Sequence, residues 1–109
     1  MKKYLHFANS TSEIHFVPAS SLVEMEMDGS GTALDLRFNS QGGGASGAGV
    51  EAEVALTIND NKGKEVMEAI AKEIRIGREP VITIADDGNS DYLVSDITAV
   101  SGMTLLRIL

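Results

Sequence analysis

The sequence predicts a single domain, residues 1–109, that is mainly β with one α-helix. Three observations lead to this fold class. Apolar and polar residues alternate with a period of two in several short runs, which is typical of strands with one buried face. One segment, residues 59–80, changes to the spacing of an amphipathic helix. Glycine, asparagine, aspartate and serine separate the runs, where tight turns need them.

The first two runs form a predicted hairpin. YLHFA (residues 4–8) and EIHFV (residues 13–17) both alternate, and the turn-forming NSTS lies between them. Pro18 ends the second run, and the segment PASSL that it opens predicts a short turn or a single helical turn.

A second hairpin is predicted from Leu22 to Phe38, around the turn DGSGT. Its first strand has an apolar inward face formed by Val23, Met25 and Met27. Its opposite face is acidic and is formed by Glu24, Glu26 and Asp28. In its second strand, the residues predicted to point inward are Leu34, Leu36 and Phe38. Those predicted to point outward are Asp35 and Arg37. The acidic residues are interpreted as the solvent side of a half-buried sheet, not as paired catalytic carboxylates.

The glycine-rich stretch NSQGGGASGAGVEAE contains the spacing G-x-G-x-x-G at Gly42, Gly44 and Gly47. A phosphate-binding loop of this kind needs a helix directly after the glycines, because free backbone N–H groups and the helix dipole bind the phosphate. An alternating run from Val50 to Ile58 follows instead, which predicts a strand. We therefore interpret the stretch as a flexible connection between strands.

The segment NDNKGKEVMEAIAKEIRIGREP predicts the helix. Four apolar residues lie within one helical sector: Val66, Met67, Ile70 and Ile74. Residues 59–61 offer N-terminal caps, and Gly77 followed by Pro80 marks the end. The outer face carries Lys64, Glu68, Lys72 and Arg75. We interpret it as a solvated, ion-paired face, with contact to nucleic acid as the alternative.

A last hairpin is predicted from Val81 onward. Its first strand is Val81 to Ala85, its turn is DDGNSD, and its second strand runs from Tyr92 to about Val100. The following SGMTLLRIL is strongly apolar. Because such a segment would promote aggregation if exposed, we expect it to pair with a sheet edge of its own or a neighbouring copy, which favours a homo-oligomer.

Composition and charge exclude several classes of protein. The chain has no cysteine, which excludes disulfides, thiolate metal sites and cysteine nucleophiles. It lacks the apolar core of a signal peptide and any membrane-spanning run, so we expect a cytoplasmic protein without membrane contact. The net charge of −7 opposes nonspecific binding to nucleic acid. Positive charge is concentrated in residues 62–79, which hold five of the nine basic residues.

Two groups of potential metal ligands do not amount to a predicted metal site. Asp87, Asn89 and Asp91 match the start of a calcium loop, but the glycine and the final glutamate of that loop are missing. His6 and His15 would lie opposite each other on one face if the first hairpin turned at Ser10 and Thr11, yet two ligands are too few to predict a site, and metal binding by this pair is a third, weaker alternative. No serine lies in a G-x-S-x-G or triad context, so we expect neither an enzyme nor a cofactor.

Two segments resemble the Sm/LSm family of small ring-forming RNA-binding β-barrels. VEMEMDGSGTALDLRFN is similar to the first signature of that family, with alternating apolar residues, an Asp28–Gly29 turn, and a return strand ending in Phe38 before the polar Asn39. GNSDYLV is similar to the second signature. Over nearly its full length, notably in KKYLHFA, KEVMEAI and VSDITAV, the chain resembles a group of short marine proteins of apparent cyanophage origin with an Sm-like fold.

The resemblance implies a small, strongly bent Sm-like β-barrel of short antiparallel strands that assembles into a homo-oligomeric ring, from pentamer to heptamer. It also implies a role in RNA or DNA processing, in an infected host cell if the protein is phage-encoded. The base-binding positions depart from the family: Asn39 and Gly43 stand where Asp and Asn are expected, and Asp87 precedes Gly88 where Arg is expected. The helix lies between strands instead of at the N-terminus. The fold is therefore carried over, and the RNA pocket is not assumed.

Two functions follow as expectations. The first is a non-enzymatic Sm-like ring that binds RNA or single-stranded DNA through the candidate residues Asn39, Gly88, Asn89, Tyr92, Lys64, Lys72 and Arg75. Tyr92 would either stack on a base or lie in the core. The alternative is a phage structural or scaffolding module whose ring binds protein. The acidic charge favours the alternative, and the resemblance favours the first function.

Overall fold

The computed structural model describes residues 3–10, 13–27, 29–38 and 52–104. These parts form the helix α1 (Gly63–Ile76), a 3₁₀ turn (Ala19–Ser21), and the strands β1 (Tyr4–Ala8), β2 (Ile14–Pro18), β3 (Leu22–Met27), β4 (Ala33–Phe38), β5 (Ala52–Ile58), β6 (Val81–Asp86), β7 (Asp91–Tyr92) and β8 (Ile97–Thr104). Within these ranges the fold is mainly β with a single α-helix, which confirms the predicted fold class.

The strands form two four-stranded sheets. The first sheet has the order β2-β1-β6-β7, and the second has the order β3-β4-β5-β8. Neighbouring strands are antiparallel in every pair except β1 with β6, which run parallel. Register shifts in three of the pairs mark bulges, which bend strands. The strands that the structure describes stay in these two sheets and do not close into one barrel.

One hydrophobic core joins the inner faces of both sheets to α1. The first sheet contributes Leu5 and Phe7, and the Phe7 ring packs edge-on against Phe38 with centroids 6.1 Å apart. Val66 and Ile70 enter from α1. The inward residues predicted for β4, Leu34, Leu36 and Phe38, are fully buried, and the alternating run of β5 buries Val54, Leu56 and Ile58. Alternation therefore predicted the buried residues of β4 and the strand β5 correctly.

One inward prediction on β3 is wrong. Met25 and Met27 are partly buried against the core, whereas Val23 is 52% exposed. The pairing of β3 with β4 shifts register between Leu22 and Glu24, so Val23 lies in a bulge and the alternation is interrupted there.

The predicted strand from Tyr92 to Val100 is wrong in part. Its start pairs with β6 as β7, residues 93–96 leave the strand, and the chain resumes at Ile97 as β8 beside β5. Since β6 and β5 belong to different sheets, a single straight strand cannot pair with both. The break is the point where the chain moves from one sheet to the other.

Helix α1 ends where the sequence predicts but begins without the predicted cap. The N–H of Gly77 donates to the carbonyl of Glu73 at 2.9 Å and closes the last turn. At the other end, Lys62 occupies the N-cap position and makes no side-chain cap hydrogen bond. The preceding Asn61 adopts a positive φ of 60°, so it shapes the turn into the helix instead of capping it.

Candidate functional site

The turn between β6 and β7 contains two of the predicted nucleic-acid residues, Gly88 and Asn89. Both are exposed, and Asn89 donates twice to the Asp86 carboxylate, from its N–H at 3.2 Å and from Nδ2 at 2.9 Å. Asp86 itself is only 7% exposed. The hydrogen bond from the Asn89 side chain holds the pKa of Asp86 below its ordinary value, against the opposing effect of burial. The side-chain donor of Asn89 is thus engaged within the turn.

Tyr92 lies at the other end of the same turn and is half-buried against the core. Its hydroxyl donates to Oδ1 of Asp87 at 2.8 Å. That hydrogen bond and burial raise the pKa of Tyr92, because both favour the neutral phenol. The Asp87 carboxylate also accepts the N–H of Val100, at 3.2 and 3.3 Å from its two oxygens. It therefore links the β6–β7 turn to β8.

The remaining predicted residues fall into two groups. Lys64, Lys72 and Arg75 are exposed on α1, within one sector of the helix. In the part of the chain that the structure describes, no ion pair engages them. Asn39 lies outside the described residues, so its proposed contact with a base stays a prediction.

The outward acids of the second sheet surround a single guanidinium. Arg37 Nη1 lies 2.7 Å from Glu26 and 2.9 Å from Glu24, and its Nε lies 3.0 Å from Glu53. Asp35 is 3.8 Å from Nη2. The hydrogen bonds to Glu26 and Glu24 hold the pKa of Arg37 above its ordinary value. Four carboxylates and one guanidinium sum to −3, so this face of the second sheet is acidic.

The expected placement of the two histidines is wrong. In the first hairpin His6 pairs with Phe16, and His15 pairs with Phe7. This register differs by one residue from a turn centred on Ser10 and Thr11, and a shift of one residue moves a side chain to the other face. His6 and His15 therefore lie on opposite faces of the first sheet. Among the described residues, no group of three or more His, Asp or Glu could hold a metal ion.

The same register exposes two large apolar side chains that the sequence did not single out. Ile14 is 50% exposed and Phe16 is 55% exposed, both on β2 at the edge of the first sheet. The His6 ring packs on Phe16 with centroids 5.0 Å apart, and its Nδ1 lies 3.1 Å from Oγ1 of Thr83. We call Ile14 and Phe16 the β2 edge patch. The sequence did contain a sign of this patch, because β2 carries apolar residues on both of its faces.

Comparison with protein-family models, with curated proteins and with solved structures gave no match. In the regions that the structure describes, the helical segments fall short of the length and hydrophobicity needed to cross a bilayer. We therefore infer function from the residues described above.

Proposed function

We propose that this protein is a non-enzymatic structural module that acts through protein–protein contact, including assembly with copies of itself. The β2 edge patch carries the proposal. Ile14 and Phe16 leave half of their surface in water on an outermost strand. Exposed apolar residues on a sheet edge favour association, and soluble proteins that remain monomeric usually protect such edges.

The distribution of charge supports protein over nucleic acid as the partner. The chain carries a net charge of −7, and one face of the second sheet gathers four carboxylates around Arg37. In the β6–β7 turn, Asp86 and Asp87 already accept from Asn89 and Tyr92. Carboxylates in these places would repel a phosphate backbone, whose binding depends on Lys and Arg contacts.

The resemblance to Sm-like proteins supports the same proposal, because that family assembles into homo-oligomeric rings. Two bent four-stranded sheets are compatible with such a fold. A ring of pentamer to heptamer size, and a phage origin, belong to the proposal on the strength of the resemblance alone.

Binding of RNA or single-stranded DNA is the second candidate function. The exposed Lys64, Lys72 and Arg75 on α1 favour it, because they present three positive charges that no described carboxylate pairs with. In this candidate the helix contacts phosphates, and Asn39, Gly88 and Asn89 contact the bases.

Labelled single-stranded RNA and DNA oligonucleotides distinguish the two functions. We expect no retardation at either about 50 mM or about 200 mM salt. Retardation at low salt that weakens at high salt would refute the proposed function and support the second. In that case a Lys64→Gln, Lys72→Gln, Arg75→Gln triple variant should lose binding. Arg78→Gln, a neighbouring basic residue outside the predicted set, should retain most of it.

A further inference from the structure

We propose that β2 is a self-association strand, along which two copies pair antiparallel about a two-fold axis, with Ile14 of each copy opposite Phe16 of the other. This inference rests on the proposed function, since it names the partner as a second copy and the contact as the free edge of β2. It commits to one register, which the hydrogen bonds of the first hairpin select.

The existing hairpin fixes which backbone groups of β2 are already used. The Asn9 N–H donates to the Glu13 carbonyl at 3.1 Å, and the Ala19 N–H donates to the Lys3 carbonyl at 2.9 Å. Between these two bonds the β1–β2 register is continuous. In an antiparallel ladder, alternate residues direct both backbone groups to the same neighbour. The backbone N–H and C=O groups at positions 13, 15, 17 and 19 therefore point toward β1.

The intervening residues of β2 direct their backbone groups to the free edge. These residues are Ile14, Phe16 and Pro18. Pro18 has no N–H, and its carbonyl accepts the hydroxyl of Ser21 at 2.7 Å. Within the described parts of the chain, the free edge thus presents the N–H and C=O groups of Ile14 and Phe16, two donors and two acceptors.

A second copy with His15 on the two-fold axis satisfies this edge. With His15 on the two-fold axis, Ile14 pairs with Phe16 of the other copy and Phe16 pairs with Ile14, so four hydrogen bonds form and all eight groups are used. With Phe16 on the axis, Ile14 would lie opposite Pro18, which offers no N–H and whose carbonyl is already bound. Of these two registers, the first leaves no edge group unpaired.

Side chains favour the same register. Ile14 and Phe16 lie on the outer face of the first sheet, so each would pack beside its cross-strand partner, as apolar pairs in sheets do. No Asp, Glu, Lys or Arg lies within Ile14–Pro18 to oppose the contact. By contrast, the free edge of β3 carries Glu24 and Glu26 and a bulge, which are features that prevent edge pairing.

The exposed area sets the strength that we expect. Two half-exposed apolar side chains supply on the order of 200 Å² per copy, against about 800 Å² per partner in a standard interface. The dimer should therefore be weak. Concentrations from about 5 to about 200 µM cover the range in which such a contact becomes populated.

Sedimentation velocity over that range tests the contact. We expect the wild type to approach twice the mass of the species that Ile14→Lys forms, because this substitution should raise the dissociation constant of the β2 contact at least tenfold. Val23→Lys is the matched control, because Val23 is equally exposed on the other sheet, and it should leave association unchanged. A wild type whose mass does not rise with concentration, or an Ile14→Lys variant that still associates like wild type, would each overturn the proposal.

Cysteine substitution tests the register, since the chain has no cysteine of its own. With His15 on the axis, its two Cα atoms lie about 4.5 Å apart, within disulfide range. Under mild oxidation His15→Cys should form a covalent dimer, and Phe16→Cys should not. The reverse result would overturn the register. Oligonucleotide retardation would refute the proposed function without affecting this contact. A monomeric wild type would refute this contact and self-assembly, but not contact with a different protein.

Discussion

Replacing Asp87 by alanine removes the carboxylate that holds the β6–β7 turn to β8. This carboxylate accepts the Tyr92 hydroxyl at 2.8 Å and the Val100 N–H at 3.2 and 3.3 Å. Val100 belongs to β8, an outermost strand of the second sheet. Its N–H therefore donates to the Asp87 carboxylate and not to the backbone of a neighbouring strand. The substitution therefore leaves two donors without their acceptor.

The magnitude follows from the two hydrogen bonds. A hydrogen bond to a charged group contributes about 1.5–3 kcal/mol to stability. Tyr92 is only half-buried, so water replaces part of its lost interaction. We expect Asp87→Ala to lower the free energy of unfolding by about 2–4 kcal/mol, and Tyr92→Phe, which removes one bond, by about 1–2 kcal/mol. Asp87→Asn keeps an acceptor oxygen and should fall between wild type and alanine.

Urea unfolding followed by far-UV circular dichroism measures these differences, because the chain has no tryptophan to serve as a fluorescent reporter. Asp91→Ala removes an exposed carboxylate from the same turn and should change stability by less than about 0.5 kcal/mol. Equal losses for Asp87→Ala and Asp91→Ala would refute the reasoning. A double-mutant cycle of Asp87→Ala with Tyr92→Phe should give a coupling energy of about 1 kcal/mol or more.

Three further outcomes are expected. Because the pKa of Asp86 is lowered in the folded protein, its contribution to stability is present above the unfolded pKa of about 3.9 and is lost as pH falls toward the folded value. Asp86→Asn should therefore reduce the dependence of the urea midpoint on pH between pH 7 and pH 3. A variant whose midpoint falls with acid as steeply as that of wild type would contradict this. Gly77→Ala should cost about 1–3 kcal/mol in thermal unfolding, because a Cβ there would lie 2.5 Å from the Glu73 carbonyl oxygen, while Gly29→Ala, with nothing within 4 Å, should not. Arg37→Gln should make stability rise more steeply with salt than in wild type, because salt screens the repulsion among carboxylates left without their cation; parallel urea midpoints at about 0.05 and 1 M NaCl would count against it.

Local features of the fold were predictable from the sequence because the residues that determine them are close together. The hairpin from β3 to β4 depends on alternation and on a turn rich in glycine and serine. The end of α1 depends on Gly77, whose approach to the carbonyl of Glu73 leaves no room for a side chain. Both were predicted at the positions that the structure shows.

Features that depend on distant partners were not predictable. The parallel pair of β1 with β6 joins segments that alternation alone cannot connect. The interruption at residues 93–96 depends on the two halves pairing with different sheets. For the candidate site, the sequence correctly placed Asn89 in a turn and Tyr92 in the strand after it, but could not show that Asp86 and Asp87 bind them.

The β2 edge patch was missed for a related reason. Alternation in EIHFV establishes that the two faces of β2 differ, but not which face is buried. The observed register differs by one residue from the expected one, and such a shift moves every side chain of β2 to the opposite face of the sheet. Phe16 therefore lies on the outer face, beside His6. Loop length, and not composition, decided which side chains became available for contact.

The long separation between β1 and its partner β6 bears on how the chain folds as it is synthesised. Tyr4 aligns with Val81, whereas β3 pairs with β4 and β4 pairs with β5, each the next strand along the chain. During synthesis β3, β4 and β5 therefore become available close together in time, but β6 becomes available long after β1, and short-range pairings form faster than long-range ones. The amino-terminal hairpin must wait for most of translation before it is held in place.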